Sequence, residues 1–257
     1  MARLAAPFVV YTFPRSGSAW LMDTLNSHPE VAACGELFRE EGGMPDYGRD
    51  DIPYFRSYLE GRPGGGRAAR LRRVAYLRLV YRGRPGVRAA GFKLMYAQVG
   101  RNPGLFQYFA LRRVRAVHLV RANLLDAVIS YEVGKKTGIF HPRRGDVVPK
   151  AAVSLDPLAL RARLEDMEWA IARGRSRLER YRLPRLDVAY EELVGRRDET
   201  FERVLRFLGV DPDVGTLDSD FVRIGTNRAL ESVENGDEVR AALAGTRFEW
   251  MLDGSRP

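Results

Sequence analysis

Thirteen residues near the start, Phe8 to Trp20 (FVVYTFPRSGSAW), constrain this chain more than any other stretch. Phe8-Val9-Val10-Tyr11-Thr12-Phe13 is a run of apolar and β-prone residues without polar alternation, the pattern of a strand buried on both faces. Pro14 stops it, and Arg15-Ser16-Gly17-Ser18 follows with no bulky side chain after the arginine. From about Ser18 the pattern becomes helical and runs out at Asn26-Ser27-His28-Pro29. A strand, a turn of small residues and a helix start together form an anion cradle. The turn amides and the positive end of the helix dipole converge on one spot. Arg15 adds a full charge with fork geometry, and the hydroxyls of Ser16 and Ser18 add short donors. A phosphate or sulfate group is expected on this turn.

The rest of the chain is read as the scaffold for that turn. Its 257 residues, 45 % of them hydrophobic, suffice for one well-filled core, so a single domain over residues 1–257 is expected. One cysteine, Cys34, excludes an internal disulfide framework and points to the reducing cytoplasm. No apolar run has the length of a membrane span, and Met1-Ala2-Arg3-Leu4 leads straight into the first strand without room for a signal peptide. The net charge is +9, and only four of the 42 basic residues are lysines. That balance suits an anionic small substrate or a nucleic acid, but the arginines are scattered rather than clustered with aromatics, which disfavours nucleic acid. In such a background Lys93 has a reason to be lysine.

Along the chain, Val31–Phe38 is a short apolar segment ending in Gly35-Glu36-Leu37-Phe38. Residues 41–66, rich in Gly, Pro and Asp, read as a surface excursion with a short helix at Pro53–Glu60. Residues 67–82 form an arginine-rich helix, read as a solvated face. Arg88–Met95 is a second strand, Leu105–Leu111 a short helix, and Arg115–Arg121 a third strand followed by a helix over Leu124–Val133. Lys135–Lys150 is a polar loop. Asp156-Pro157 starts a long helix to about Tyr181. Leu186–Tyr190 is a fourth strand, with helices at Glu199–Leu208 and near Asp237–Ala244. Strands alternating with helices imply a three-layer α/β sandwich with a mainly parallel central sheet, binding ligands at the carboxyl ends of its strands.

The type of phosphate site is narrowed by elimination. A nucleotide triphosphatase needs GxxxxGK[ST], whereas Pro14-Arg15-Ser16-Gly17-Ser18 is shorter and has no such lysine. GxGxxG, CxxC pairs, HExxH and GxSxG are also missing. A second informative stretch runs from His118 to Tyr131. There a strand ends on Arg121, Asn123 can cap the next helix, and Ser130 follows two turns later. Arg121 and Ser130 can converge on one anion, so a ligand with two phosphate-like ends is expected.

With those residues in place, the sequence resembles the sulfotransferases that use 3′-phosphoadenosine-5′-phosphosulfate (PAPS), especially bacterial members that modify carbohydrates and metabolites. Pro14-Arg15-Ser16-Gly17-Ser18-Ala19-Trp20 is similar to their 5′-phosphosulfate loop, and Arg121…Ser130 to their 3′-phosphate site. Cys34–Phe38, Gly91–Tyr96, Val188–Leu193 and the tail from Leu230 fit the same family, so the resemblance runs from about residue 7 to 251. It implies a P-loop-NTPase-like sulfotransferase fold. It implies that Arg15, Ser16, Gly17, Ser18 and Ala19 hold the 5′-phosphosulfate, that Trp20 and Tyr190 lie against the adenine, and that Arg121 and Ser130 hold the 3′-phosphate. Arg15 stands where cytosolic animal members carry lysine, Ala19 where many carry a second hydroxyl, and Arg121 and Ser130 are nine apart rather than eight.

The reaction that the resemblance implies is in-line, metal-independent transfer of the sulfuryl group to a hydroxyl of a carbohydrate or secondary-metabolite acceptor, leaving 3′,5′-ADP. Arg15, Lys93 and the loop amides are expected to hold the departing phosphate. Glu36 is the expected general base and His141 its runner-up. Residues 41–66 and 135–153 are the expected acceptor-site loops. His118, mid-strand, reads as a satisfied core histidine. A nucleotide-dependent kinase of small molecules is the alternative. The expected partner is a small hydroxylated acceptor, with neither nucleic acid nor membrane insertion; a homodimer is compatible with the sequence, which does not specify one.

Overall fold

The structure, a computed structural model, describes residues 5–40, 51–61, 66–147, 149–221 and 229–253. In chain order the elements are β1 (Ala6–Thr12), α1 (Ser18–Asn26), β2 (Val31–Glu36), α2 (Phe55–Leu59), α3 (Gly66–Val80), β3 (Ala89–Met95), α4 (Tyr96–Arg101) and α5 (Leu105–Arg112). They continue with β4 (Arg115–Val120), α6 (Leu124–Thr137), α7 (Pro157–Arg180), β5 (Arg185–Ala189), α8 (Tyr190–Gly195), α9 (Arg197–Leu208) and α10 (Gly236–Leu243). Single 3₁₀ turns lie at Ala229–Ser232 and Glu249–Leu252.

The strands form one five-stranded sheet in the order β2-β3-β1-β4-β5, and every pairing is parallel. β1 is central because its residues 8–11 are fully buried, so it can take neighbours on both edges and helices on both faces. Alternation along it feeds two cores. Phe8 and Val10 pack with Leu21, Leu25, Val117 and Phe201 beneath α1 and α9. Val9 and Tyr11 pack with Phe92, Leu94, Phe106 and Phe109 on the opposite face. Each such fully buried side chain contributes about 1.5–3 kcal/mol relative to exposure. A third apolar cluster, including Leu125, Leu160, Leu164, Leu243 and Phe248, joins α6, α7 and α10.

Among the described residues five strands are present where four were expected. The additional one is β2, whose residues Val31–Glu36 were read only as an apolar segment. It runs beside β3 with a register shift between Cys34 and Glu36, which sets Glu36 opposite Lys93. The helix starts follow the sequence signals: Asn123 Oδ1 accepts from the Asp126 amide, and Asp156 Oδ1 accepts from the amides of Leu158 and Ala159 beside Pro157. His118 is fully buried and satisfied, with Nε2 bonded to the Tyr96 hydroxyl (2.6 Å) and Nδ1 to Asp187 (2.9 Å). Parts of the excursion read over residues 41–66 lie outside the described residues. Among those described, no helix is long and apolar enough to cross a membrane.

From β1 the chain runs to β2 on one side, and after β3 it crosses over β1 to β4 and β5 on the other, so the connections reverse direction beside β1. This is the switch point at which parallel α/β sheets open a crevice at their carboxyl ends.

Candidate active site

The crevice is built from the turn that follows β1. Arg15 adopts φ 65° and Gly17 φ 83°, so the chain reverses through two left-handed residues. Glycine does this without strain, whereas arginine does so only when its surroundings hold it there. Here they do. Arg15 Nε and Nη2 donate to Ser130 Oγ at 3.0 and 2.8 Å, and Nη1 donates to the Phe140 carbonyl at 2.6 Å. The turn is tied underneath to β4: Thr12 Oγ1 donates to the Leu119 carbonyl (2.7 Å) and lies 2.6 Å from Ser16 Oγ. Since the one Thr12 proton goes to that carbonyl, Ser16 donates its own to Thr12. The Ser16 hydroxyl is therefore buried and directed at Thr12 in this arrangement, where the sequence pattern has it donating to an anion on the turn.

Helix α1 begins on this turn with Gly17 at its cap and no side chain bonded to its first amides. Those amides, with Ser18 and Ala19, border a cavity of about 500 Å³. Helix α6, by comparison, is closed at its start: Asn123 caps it, and the Glu191 carboxylate accepts from the amides of Ala122 and Asn123.

Arg121 and Arg15 line the same cavity, as do Trp20, Ser130 and Tyr190. Arg121, at the tip of β4, is nearly buried; its Nη2 donates to Asp126 at 2.9 Å, its guanidinium lies 4.6 Å from the Tyr190 ring centre, and Nη1 reaches the Arg15 carbonyl at 3.4 Å. Its Nε–H has no hydrogen-bond partner although it is buried. Burial, and then the charge of Arg121, push the Arg15 guanidinium down to about 10, so two protonated cations are confined together. A dianion entering the cavity would relieve both that repulsion and the unpaired N–H.

Ser130 reaches the cavity, where its hydroxyl accepts from Arg15; its own proton remains available to donate. Trp20 lies at the wall with its ring edge-on to Phe201, the centroids 5.9 Å apart. Tyr190 opens α8 immediately after β5 and covers Gly17.

The residues expected to do chemistry separate into two groups. Glu36 and Lys93 form an ion pair at 3.2 Å, with Lys93 almost fully buried, and Gln98 Nε2 donates to the second Glu36 oxygen at 2.9 Å. Neither residue is among those lining the cavity. His141 does line it. Partial desolvation, followed by the charges of Lys93, Arg15 and Arg39, pushes the imidazole of this otherwise exposed residue down to about 4. It is therefore neutral at pH 7 and carries a free lone pair.

Sequence reasoning missed Phe140, whose carbonyl and ring both meet Arg15, and Asp126, the counter-ion of Arg121. Gly134 was the one available hint for Phe140: a β-carbon there would come within 2.7 Å of that ring. The loop over residues 135–153 was expected to shape the acceptor site; Phe140, His141, Pro142 and Arg144 border the cavity containing Arg15 and Arg121. Among the described residues, no group of histidine, cysteine and acidic side chains could hold a metal ion.

No family model matches the chain. It is similar to Nodulation protein H of Rhizobium tropici, 26 % identical over 256 residues that cover 98 % of this chain and 96 % of that protein. Among solved structures it is similar to a sulfotransferase from Alicyclobacillus acidocaldarius (17 % identity, 99 % of this chain and 98 % of that one, TM-score 0.45). It is also similar to the sulfotransferase domain from the Curacin biosynthetic pathway (16 %, 98 % and 90 %, TM-score 0.46) and to mouse sulfotransferase SULT7A1 complexed with PAP (13 %, 98 % and 76 %, TM-score 0.41).

Proposed function

We propose that the protein is a PAPS-dependent sulfotransferase that moves the sulfuryl group to a hydroxyl of a carbohydrate or secondary metabolite and releases 3′,5′-ADP. The observation that carries this reading is the confinement of Arg15 and Arg121 in one cavity, one beside the uncapped start of α1 and the other with a buried N–H lacking an acceptor. Two cationic ends around one cavity suit a nucleotide phosphorylated at two positions. Arg15 and the amides of Gly17 to Ala19 hold the 5′ end, Arg121 and the Ser130 hydroxyl the 3′-phosphate, and Trp20 and Tyr190 flank the base.

In the reaction the acceptor oxygen attacks sulfur, the bond from sulfur to the phosphate oxygen breaks in line, and the hydroxyl proton passes to a base. Negative charge grows on the departing phosphate, next to Arg15, where fixed donors in a partly dry site are most effective. Glu36 takes the proton in this scheme. Lys93 fixes its orientation through the ion pair and Gln98 holds its other oxygen. His141, neutral and bordering the cavity, is the second choice.

Calorimetry on the full chain tests the reading. It requires 3′,5′-ADP to bind without magnesium. Tight binding of Mg-ATP with no binding of 3′,5′-ADP would replace it with a kinase.

A further inference from the structure

A second cavity, of about 680 Å³, opens between α4, α6, α7 and the end of β1, and among the described residues Arg15 is the one that borders both it and the first. If the first cavity holds the donor, as proposed above, the second is where an acceptor hydroxyl can reach it. We infer that this cavity takes an aromatic or fused-ring hydroxy compound carrying a carboxylate, in preference to a bare sugar.

The walls argue for the ring system. Phe13 just after β1, Val128 from α6 and Met167 and Ala170 from α7 present carbon to the space. A sugar carries hydroxyls on every side, and each one set against such a wall would lose its water without gaining a partner. A flat apolar ring loses nothing there, and the volume suits a small ligand. Tyr96 lies on the wall with its hydroxyl committed to His118, its ring pressed so close to α7 that a β-carbon at Gly174 would stand 2.9 Å away. At the rim, Trp169 is 60 % exposed, an unusual amount for so large an apolar ring.

The charges argue for the carboxylate. Three arginines of α7 face the cavity. Arg163 is matched by Glu132 at 2.7 Å. Arg177 donates to the Tyr11 hydroxyl at 2.9 Å, and Arg173 stacks on Trp169 at 4.2 Å; among the described residues neither has a carboxylate partner. Asp166 also faces the cavity, but it lies eleven residues before Arg177, about 16 Å along the helix axis, so it does not neutralise that end. The positive end is thus left for an acidic group of the ligand, with the hydroxyl directed toward Arg15.

The test compares 6-hydroxy-2-naphthoate, 2-naphthol and glucose as acceptors with labelled PAPS. The naphthoate should exceed 2-naphthol in kcat/KM by about 10-fold or more, the scale of one charge-assisted pair, and glucose should be inert. Arg177→Ala, and separately Arg173→Ala, should shrink the naphthoate advantage while leaving 3′,5′-ADP affinity unchanged. Ala170→Trp, which fills the cavity, should abolish transfer to both naphthols with donor binding intact. Binding is also read without any donor: the naphthoate should quench tryptophan fluorescence in the wild type and much less in Trp169→Phe. That signal stands even if 3′,5′-ADP proves not to bind, which separates the two readings. Glucose outperforming both naphthols, or a naphthoate advantage that survives both arginine variants, would overturn the inference.

Discussion

The ring of Tyr190 rests on the α-carbon of Gly17, so closely that a β-carbon at that position would stand 2.3 Å from the ring. Gly17 also has a φ of 83°, a region side-chain-bearing residues rarely enter. Gly17→Ala therefore meets two penalties at once, backbone strain and displacement of the ring that supports Arg121. We expect it to lower stability by about 1–3 kcal/mol in urea denaturation and to weaken 3′,5′-ADP binding. Wild-type values in both measurements would show that the ring does not hold this position.

Ser16 and Ser18 sit two apart on the same turn but differ in role. The Ser16 hydroxyl secures Thr12 beneath the turn, whereas Ser18 borders the cavity. Ser16→Ala should cost about 0.5–1.5 kcal/mol of stability and leave 3′,5′-ADP affinity within about twofold of wild type. Ser18→Ala should do the reverse. A Ser16→Ala variant that is fully stable yet binds the nucleotide poorly would mean the hydroxyl turns outward in solution.

Glu36→Gln keeps the shape and the bond from Gln98 in place but removes the base. Turnover should fall by about 100-fold or more while 3′,5′-ADP binding persists. If turnover stays near normal and His141→Ala abolishes it, the proton goes to the imidazole instead.

Acid should weaken the fold through His118. Burial, opposed by Asp187, holds its imidazole below the ordinary value. A folded-state value below the unfolded one, near 6.5, means that the unfolded chain binds more protons in that interval. Stability contributed by the neutral ring is therefore complete above about pH 6.5 and declines as pH falls toward the folded-state value. His118→Gln cannot take up a proton, so its urea midpoint should be lower at pH 7.5 but should decline less than the wild type's between pH 6.5 and 5. Parallel declines in the two proteins would remove His118 as the source.

The strand–turn–helix around Arg15 was legible because local chemistry decides it: an unbroken apolar run, a proline stop and a helix start. The caps of α6 and α7 were legible for the same reason. Strand β2 was not, since Ala32-Ala33-Cys34-Gly35 has little intrinsic preference for a strand and becomes one only by pairing with β3. That Arg121 and Arg15 share one cavity follows from parallel strand order, and strand endings in the sequence did suggest it. The bond between Arg15 and Ser130 could not be read, because it joins residues 115 apart in sequence. The second cavity was hidden too. Along α7 the residues facing it include Arg163, Asp166, Met167, Ala170 and Arg177, a mixed face that reads as solvated until α4, α6 and the end of β1 are set against it.

The central claim is that Arg15 and Arg121 hold the two ends of a single doubly phosphorylated adenosine. Its most direct test is calorimetric titration of the wild type and of Arg121→Ala with 3′,5′-ADP and with 5′-AMP, both without magnesium. The account predicts that the wild type favours 3′,5′-ADP and that Arg121→Ala loses about 1.5–3 kcal/mol toward it while its affinity for 5′-AMP hardly changes. Equal wild-type affinities for the two nucleotides, or a preference for 3′,5′-ADP that persists in Arg121→Ala, would contradict it.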